Sequence, residues 1–496
     1  MEHNQITVSH YNDVYMKVDC ERGIAKEISE FFTFKVPNYQ FTPAYKNKIW
    51  DGQIRLFNTY RQTLYVGLKD YLIHFASERD YPIINEVKDY GNVVTTKKII
   101  DYMKNYLKIP FAPYDHQIVA IKHAIENSRT LLLSPTGSGK SLIIYTLMRY
   151  YLDTLPEDKK ILIIVPTVGL VSQMKSDFED YSKGLEWSVN DLCHPIFSGQ
   201  SKSTSKKIII STWQSLHKEN EEYFKQFGAV FGDECHLFKA KSLTNIMTKL
   251  VECPFRIGTT GTLDGSTTHK LVIEGLFGRV FNVTTTKELM DENLLSNLSI
   301  DCLTLKYGDD EIKEIKRAKY DEEIKWLIRN EKRNNFIIDL VSNIKGNTLI
   351  LFNYVKEHGV PLHENISKRN EDVYMIHGGT TLEQREKIRK IVDEKTNATL
   401  VASYGTCSTG INIRNINNII FASPSRSVIR VLQSIGRGLR RTDDKNKVKL
   451  YDISDDLRYL KYDNHTYRHL QERIKIYNKE KFSFKQIEID VGEKQI

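Results

Sequence analysis

The sequence predicts an α/β protein: two parallel, doubly wound lobes in tandem, a small N-terminal accessory domain, and charged helical segments. Three observations predict it. Short apolar, β-rich runs alternate with longer amphipathic stretches from Thr130 onward; the rhythm restarts near Asn347; and residues 1 to 95 do not share it. At about 150 residues per domain, a chain of 496 residues also exceeds what one hydrophobic core supports.

Composition narrows the class. Hydrophobic residues at 40% and charged residues at 27% lie in the ordinary globular range and exclude a disordered or fibrous chain. Lysine and arginine number 71 against 63 acidic residues, a formal charge of +8, which suits a polyanionic partner without demanding one. The six cysteines (Cys20, Cys193, Cys235, Cys253, Cys302 and Cys407) are dispersed with no CxxC pair, so they read as reduced thiols and not as a metal or disulfide framework. The start, MEHNQITVSHYNDVY, has neither a basic n-region nor an apolar h-region, and no run approaches the roughly 18 apolar residues of a membrane span. A cytoplasmic protein, in host cytoplasm if viral, acting as a monomer is expected.

Residues 1–95 form the accessory domain. Between residues 35 and 69, Lys35, Lys46, Lys48, Arg55, Arg61 and Lys69 face the single acid Asp51 among Tyr39, Phe41, Tyr45, Trp50, Phe57, Tyr60 and Tyr65. Cations neutralise phosphates and exposed rings stack on bases for roughly 1–3 kcal/mol each, which makes Lys46, Lys48, Arg55 and Arg61 nucleic-acid candidates. The same aromatics would equally serve as the core of a small β-rich domain, and sequence does not show exposure. Residues 96–290 form the first lobe, with strands in TLLLS, ILIIV, KIIIS, AVFGD and RIGTT. Residues 291–346 read as a connector in which Ile312, Ile315, Ile324, Leu327 and Ile328 recur at helical spacing. Residues 347–460 form the second lobe, with strands in NTLILF, VYMIH, TLVAS, NIIFA and VKLYDI, and residues 461–496 a C-terminal extension.

The chemistry starts at LLLSPTGSGKS, an apolar strand running into a glycine-containing loop and then a helix, which is a phosphate-binding loop. Pro135, Thr136, Gly137, Ser138 and Gly139 form the nucleotide-binding loop, in which Gly137 and Gly139 let backbone N–H groups turn inward on the phosphates, Lys140 places a point charge on the β/γ oxygens, and the Ser141 hydroxyl can coordinate Mg²⁺. Ser134 stands where the general pattern has its first glycine. The second half is Asp233-Glu234-Cys235-His236, at the carboxyl end of GAVFG and beside the P-loop. Asp233 would hold the Mg²⁺ shell, and Glu234 would orient and deprotonate the attacking water.

Together these motifs resemble superfamily 2 helicases over residues 110 to 455, which implies two RecA-like lobes. By this resemblance, PYDHQ is the adenine-reading segment, with Gln117 as base contact and Tyr114 its neighbour. VPTVGLVSQ resembles motif Ia, with Thr167 and Gln173, and STWQSL is similar to the turn that grips the phosphate backbone, with Thr212. TTGT occupies the place of motif III, where Thr260 and Thr262 would couple the sites with His236. LILFNYV, YMIHGG and ASYGTCSTGINI resemble motifs IV, IVa and V, the last supplying Gly410 and Asn412; Asn412 stands where many members have aspartate and leaves a hydrogen-bonding group without charge. QSIGRGLR is similar to motif VI, with Gln433 and the arginine fingers Arg437 and Arg440, worth roughly 10³–10⁵ in rate. The resemblance implies ATP and Mg²⁺ as cofactors and DNA, single-stranded or branched, or an RNA–DNA hybrid, as partner. Over the whole chain it extends to the bacteriophage recombination helicases, implying a DNA-dependent ATPase that remodels Holliday junctions, forks, D-loops and R-loops. A double-strand translocase that does not separate strands and an RNA helicase are the alternatives within the class. A P-loop kinase would need no motif Ia, motif V or finger helix. Because all the nucleotide chemistry lies beyond Pro113, removal of residues 1–95 is expected to leave a folded two-lobe ATPase.

Overall fold

In the computed structural model, which describes residues 4–197, 200–238, 241–263, 267–408, 415–423, 436 and 447–492, the apolar runs are strands of two parallel sheets. The chain divides into one unit of Met1–Ser134 and Ser138–Thr284, and a second of Pro135–Gly137 and Thr285–Ile496.

In the first unit, the front domain is a mixed four-stranded sheet of β1 (Ile6–His10), β2 (Tyr15–Asp19), β5 (Thr63–Tyr65) and β6 (Ile83–Glu86), in the order β5-β2-β1-β6. A two-stranded ribbon, β3 (Thr33–Lys35) and β4 (Gln53–Arg55), brackets the basic-aromatic excursion. Alternation in β1 and β2 turns Ile6, Val8, Met16 and Val18 to one side, where the helices Arg22–Phe31 and Lys69–Ser77 bury Ile28, Leu72 and Phe75.

The first lobe contains β7 (Arg129–Leu133), β8 (Lys160–Val165), β9 (Cys193–Ile196), β10 (Ile208–Thr212), β11 (Phe227–Gly232), β12 (Phe255–Thr260) and β13 (Val280–Asn282), in the order β13-β7-β12-β11-β8-β10-β9. Every pairing is parallel, so the strands are buried on both faces and read as continuous apolar runs. One face packs on the helix Lys140–Thr154 through Ile143, Leu147 and Tyr151. The other shares a single core with the front domain: Ile6, Met16, Leu64 and Phe75 belong to the same cluster as Leu131, Leu162, Val230 and Phe277.

That seam is closely fitted. Gly67 lies so near the helix Thr267–Phe277 that a Cβ there would stand 2.1 Å from the Glu274 carbonyl oxygen. The Tyr71 hydroxyl donates to buried Glu274 Oε2 at 2.8 Å, and Arg129 Nη2 donates to the Asp13 carbonyl. The front domain therefore completes the first lobe's core and is not a detached appendage.

The second unit contains β14 (Asn297–Lys306), β15 (Thr348–Phe352), β16 (Val373–Ile376), β17 (Thr399–Ser403), β18 (Asn418–Phe421), β19 (Lys447–Asp456) and β20 (Ser483–Asp490), in the order β16-β17-β15-β18-β19-β14-β20. Here the structure differs from the sequence reading. β14 falls inside the range expected as connector and β20 inside the range expected as extension, yet both are sheet strands, with β14 paired to β19 over ten residues and to β20 over eight. Polar residues disguised β14: Asp301 and Thr304 are buried in it, and Asp301 is neutralised by Lys449 at 2.8 Å and Lys485 at 3.6 Å on the flanking strands.

The charged segment after Gly308 forms the helices Asp309–Ile315, Tyr320–Arg329 and Glu331–Asn343, as its spacing predicts. They belong to the second unit's interior as much as to its surface. Buried Glu323 accepts from the backbone N–H of His465 and of Thr466 at 2.8 and 2.7 Å, so its carboxylate sits on the positive end of the helix His465–Lys479. Arg333 pairs with Asp455 at 2.9 Å and Arg473 with Asp452 at 2.8 Å, all four fully buried. Among the described residues, no helix is long and apolar enough to cross a membrane.

Candidate nucleotide and nucleic-acid sites

The P-loop departs from β7 and enters the helix Lys140–Thr154 through two glycines in the left-handed region, Gly137 at φ 91° and Gly139 at φ 81°. A side chain is disfavoured at both, which is the reason for glycine there. Ser134, the departure from the general motif, has a local role: its hydroxyl lies 2.6 Å from that of Ser138 and ties the two ends of the loop together. Lys140 Nζ donates to the Ser134 carbonyl at 3.1 Å, so the ammonium is held inside the loop.

Gln117 is buried with its amide turned onto the loop. Its Nε2 donates to the Ser138 carbonyl at 3.0 Å while its Oε1 accepts from the Tyr114 backbone N–H at 3.0 Å. His116 Nε2 lies 3.0 Å from the same carbonyl. Two side chains of PYDHQ thus clamp the P-loop backbone, and Tyr114 presents an exposed ring stacked on His116.

Asp233 and Glu234 leave the carboxyl end of β11. Between β11 and the P-loop strand β7 lies β12. That intervening strand links the two halves. Thr259 Oγ1 donates to Asp233 Oδ1 at 2.9 Å on one side, and the Thr260 carbonyl accepts from Ser134 N–H at 2.9 Å on the other. Burial, then the neighbouring charge of Glu234, pushes the Asp233 carboxyl up to about 6, against the opposing pull of Lys140 and the Thr259 hydroxyl.

Glu234 occupies the left-handed region at φ 52°, rare for a residue with a side chain and found where surrounding structure over-determines it. His236 is buried with Nδ1 at 3.3 Å from Glu234 Oε2 and 3.1 Å from Thr260 Oγ1. Thr260 Oγ1 in turn donates to the Thr262 carbonyl at 2.9 Å. Asp233 is therefore hydrogen-bonded to the hydroxyl-rich turn through Thr259 and His236 through Thr260, with Glu234 at ion-pair distance from His236.

Ser141 brings in a residue that the sequence did not mark. Its Oγ lies 2.8 Å from the hydroxyl of Tyr181, the last residue of the helix Val168–Tyr181 that carries most of motif Ia. Tyr181, His116 and Thr259 were not singled out: each acts through a contact between elements distant in sequence, although His116, inside PYDHQ, and Thr259, inside TTGT, lie in motifs the sequence does show. Gly410, Asn412, Gln433, Arg437 and Arg440 lie outside the described residues.

The nucleic-acid candidates divide. Thr167 accepts from Leu170 N–H as the N-cap of its helix, with Gln173 half-buried further along. Thr212 is buried, its hydroxyl 3.1 Å from that of Ser215, so it supports its turn and does not present a surface group. In the front domain Lys46, Lys48 and Arg61 are exposed, whereas Arg55 is engaged by Asp51 at 2.5 Å. Of the aromatics, Phe57 is core, whereas Tyr60 is 95% and Phe41 68% exposed.

A P-loop, an acidic pair and a hydroxyl-rich turn on three adjacent parallel strands define the ATPase lobe of a helicase-type P-loop enzyme. Comparison with known proteins agrees. Residues 5–86 match the family described as DNA helicase UvsW, N-terminal; residues 110–265 match the type III restriction enzyme res subunit; and residues 332–442 match the helicase conserved C-terminal domain. The ATP-dependent DNA helicase uvsW of Enterobacteria phage T4 is 32% identical over 504 residues, covering 96% of this chain and 98% of that protein. The crystal structure of T4 UvsW matches with a TM-score of 0.52 at 30% identity, covering 98% of this chain and 100% of that one. The DNA 3'-5' translocase XPB2 of Sulfurisphaera tokodaii is 24% identical over 365 residues, 66% of this chain and 79% of that protein. The chain belongs to the UvsW family of superfamily 2 DNA helicases, and it is accordingly an ATP-using helicase enzyme.

Proposed function

We propose that this helicase remodels branched DNA, namely Holliday junctions, forks, D-loops and R-loops, in recombination, repair and replication control. The observation that carries the reading is the front domain, which exposes Lys46, Lys48 and Arg61 with Phe41 and Tyr60 while sharing one core with the ATPase lobe. A basic, aromatic surface built into the motor lobe can hold a second arm of DNA while the lobes work on the first.

In the nucleotide site, Lys140 and the backbone N–H groups of the loop bind the phosphates of ATP, with Gln117 and His116 keeping the loop in its binding shape. Ser141 and Asp233 supply the hard oxygen donors that would hold Mg²⁺, whose charge would offset that of the transferring phosphoryl group. The raised Asp233 fits this use, since a half-buried carboxylate without a cation is costly. Glu234 orients and deprotonates the attacking water, and His236 with Thr260 and Thr262 passes the state of that site into motif III. Arg437 and Arg440 act as the fingers, with Gln433, Gly410 and Asn412 beside the nucleotide.

The test is ATP hydrolysis and strand separation across single-stranded DNA, duplex, fork, four-way junction, RNA and RNA–DNA hybrid. Branched DNA is expected to be unwound fastest. Equal stimulation by plain duplex without strand separation would identify a translocase instead, and stimulation by RNA alone an RNA helicase.

A further inference from the structure

The second lobe carries a feature that no motif accounts for. β18 last pairs at Phe421 with Asp452, but β19 continues to Asp456, still paired to Lys306 of β14. At about 3.3 Å per residue, these strands rise roughly 13 Å past the paired end of β18. They do so at the carboxyl edge of the sheet, where open parallel sheets bind their ligands and where motifs IV and V leave their strands at Phe352 and Ser403.

A tight turn caps this raised edge. Tyr459 N–H donates to the Tyr462 carbonyl at 3.1 Å and Tyr462 N–H to the Tyr459 carbonyl at 3.0 Å, leaving Leu460 and Lys461 at the tip. Leu460 is 83% exposed and adopts φ 55°, an unfavourable conformation for a leucine that hides nothing. The base of the turn is firmly held. Leu457 is buried, with its N–H bonded to Asn464 Oδ1, and Arg458 grips Asp456 through two contacts of 2.8 Å.

Its two tyrosines each lie against a cation, Lys316 at 5.6 Å from the Tyr459 ring and Arg468 at 5.7 Å from Tyr462, and Arg458 is 4.2 Å from Tyr467 of the helix that follows. Lys316, Lys461 and Arg468 are exposed, and the exposed acid in the turn is Asp463. Beside it lies a recess of about 330 Å³ whose lining includes Lys306, Arg458, Lys461 and Leu460 together with the acids Asp456 and Asp463.

We infer that the turn Tyr459–Tyr462 is a second nucleic-acid contact, against which the bases at a boundary between duplex and single strand rest. This rests on the reading of the chain as a DNA-remodelling helicase. Leucine supplies an apolar tip of the kind inserted between base steps, tyrosine rings supply stacking surface, and the lysines and Arg468 meet phosphates.

The experiment uses the full chain. Leu460→Gly removes the apolar tip while suiting the positive φ, so it does not strain the fold. It is expected to slow fork unwinding about tenfold, because the side chain that would hold a base step open is gone, with single-strand-stimulated ATP hydrolysis within about twofold of wild type. Lys461→Glu is expected to reduce the salt slope of DNA binding by about one. Tyr459→Trp gives a direct readout, its fluorescence being quenched on addition of oligo(dT). Wild-type unwinding by Leu460→Gly, or no quenching at Tyr459→Trp, overturns the inference. A parent protein without DNA-stimulated hydrolysis overturns the functional reading instead, and the quenching still decides whether DNA meets the turn.

Discussion

Asp233→Asn tests whether the ATP site is built at the expense of stability. Burial and the charge of Glu234 raise the Asp233 carboxyl from 3.8 to about 6, so in the metal-free protein the ionised form is disfavoured by folding. A folded-state value above the unfolded one means that the native protein binds the proton more tightly. Wild-type stability therefore falls as pH rises between about 4 and 6, and stays lower above that. The full shift, about 2 pH units at about 1.4 kcal/mol each, amounts to about 3 kcal/mol. The side chain keeps some solvent contact, which screens the charge, so about 2 kcal/mol is expected. Asparagine keeps an oxygen to accept from Thr259 and carries no charge. In urea unfolding without nucleotide or metal, the variant is expected to exceed wild type by about 2 kcal/mol at pH 8 and by about half a kcal/mol or less at pH 4, while hydrolysing no ATP. A gap that is the same at both pH values would refute the electrostatic reasoning.

Lys140→Ala and Glu234→Gln should both abolish unwinding, the first with ATP no longer bound and the second with ATP bound but uncleaved; nucleotide-binding and hydrolysis assays separate them, and near-normal hydrolysis by Glu234→Gln would remove that residue as the base. Tyr181→Phe takes away the partner of the Ser141 hydroxyl, and at about 1 kcal/mol for one hydrogen bond it should raise the Mg²⁺ needed for half-maximal hydrolysis about fivefold, leaving the saturated rate within about twofold; an unchanged Mg²⁺ curve would make the contact incidental. Arg437→Ala should keep ATP affinity within a few-fold and lower DNA-stimulated turnover by about 10³ or more, and unchanged turnover at saturating DNA would show that it never reaches the γ-phosphate. Deleting residues 1–95, which the sequence alone makes look harmless, should leave a first lobe that aggregates or unfolds at lower urea, because half of a shared core goes with them; a soluble truncated protein that unfolds as cooperatively as the whole would show that the seam carries little.

Both parallel sheets were legible because their central strands are buried on both faces and so written as plain apolar runs, from Leu131 to Ile257 and from Leu349 to Ile453. β14 and β20 were not, since Asp301 is paid for by lysines on neighbouring strands and β20 is an edge with alternating polar residues. At the site, Lys140, Ser141, Asp233 and Glu234 announce themselves by local pattern. What the pattern leaves out is which strand lies between them, and that strand makes Thr259 and Thr260 the bridge. Exposure was equally beyond reach: nothing in the order of letters separates buried Phe57 from Tyr60 three positions on.

The place of β14 has a consequence for how the protein is made. It emerges early in the second lobe, yet its partners β19 and β20 are the last two strands described. Ser299 waits for about 180 further residues before Ser483 exists, roughly ten to forty seconds at 5–20 residues per second. Until β19 emerges, a ten-residue strand with both edges open is available to any neighbouring chain, and one edge stays open until β20 follows. Conditions that slow elongation over the last quarter of the message should therefore lower the soluble yield of this helicase more than slowing elsewhere.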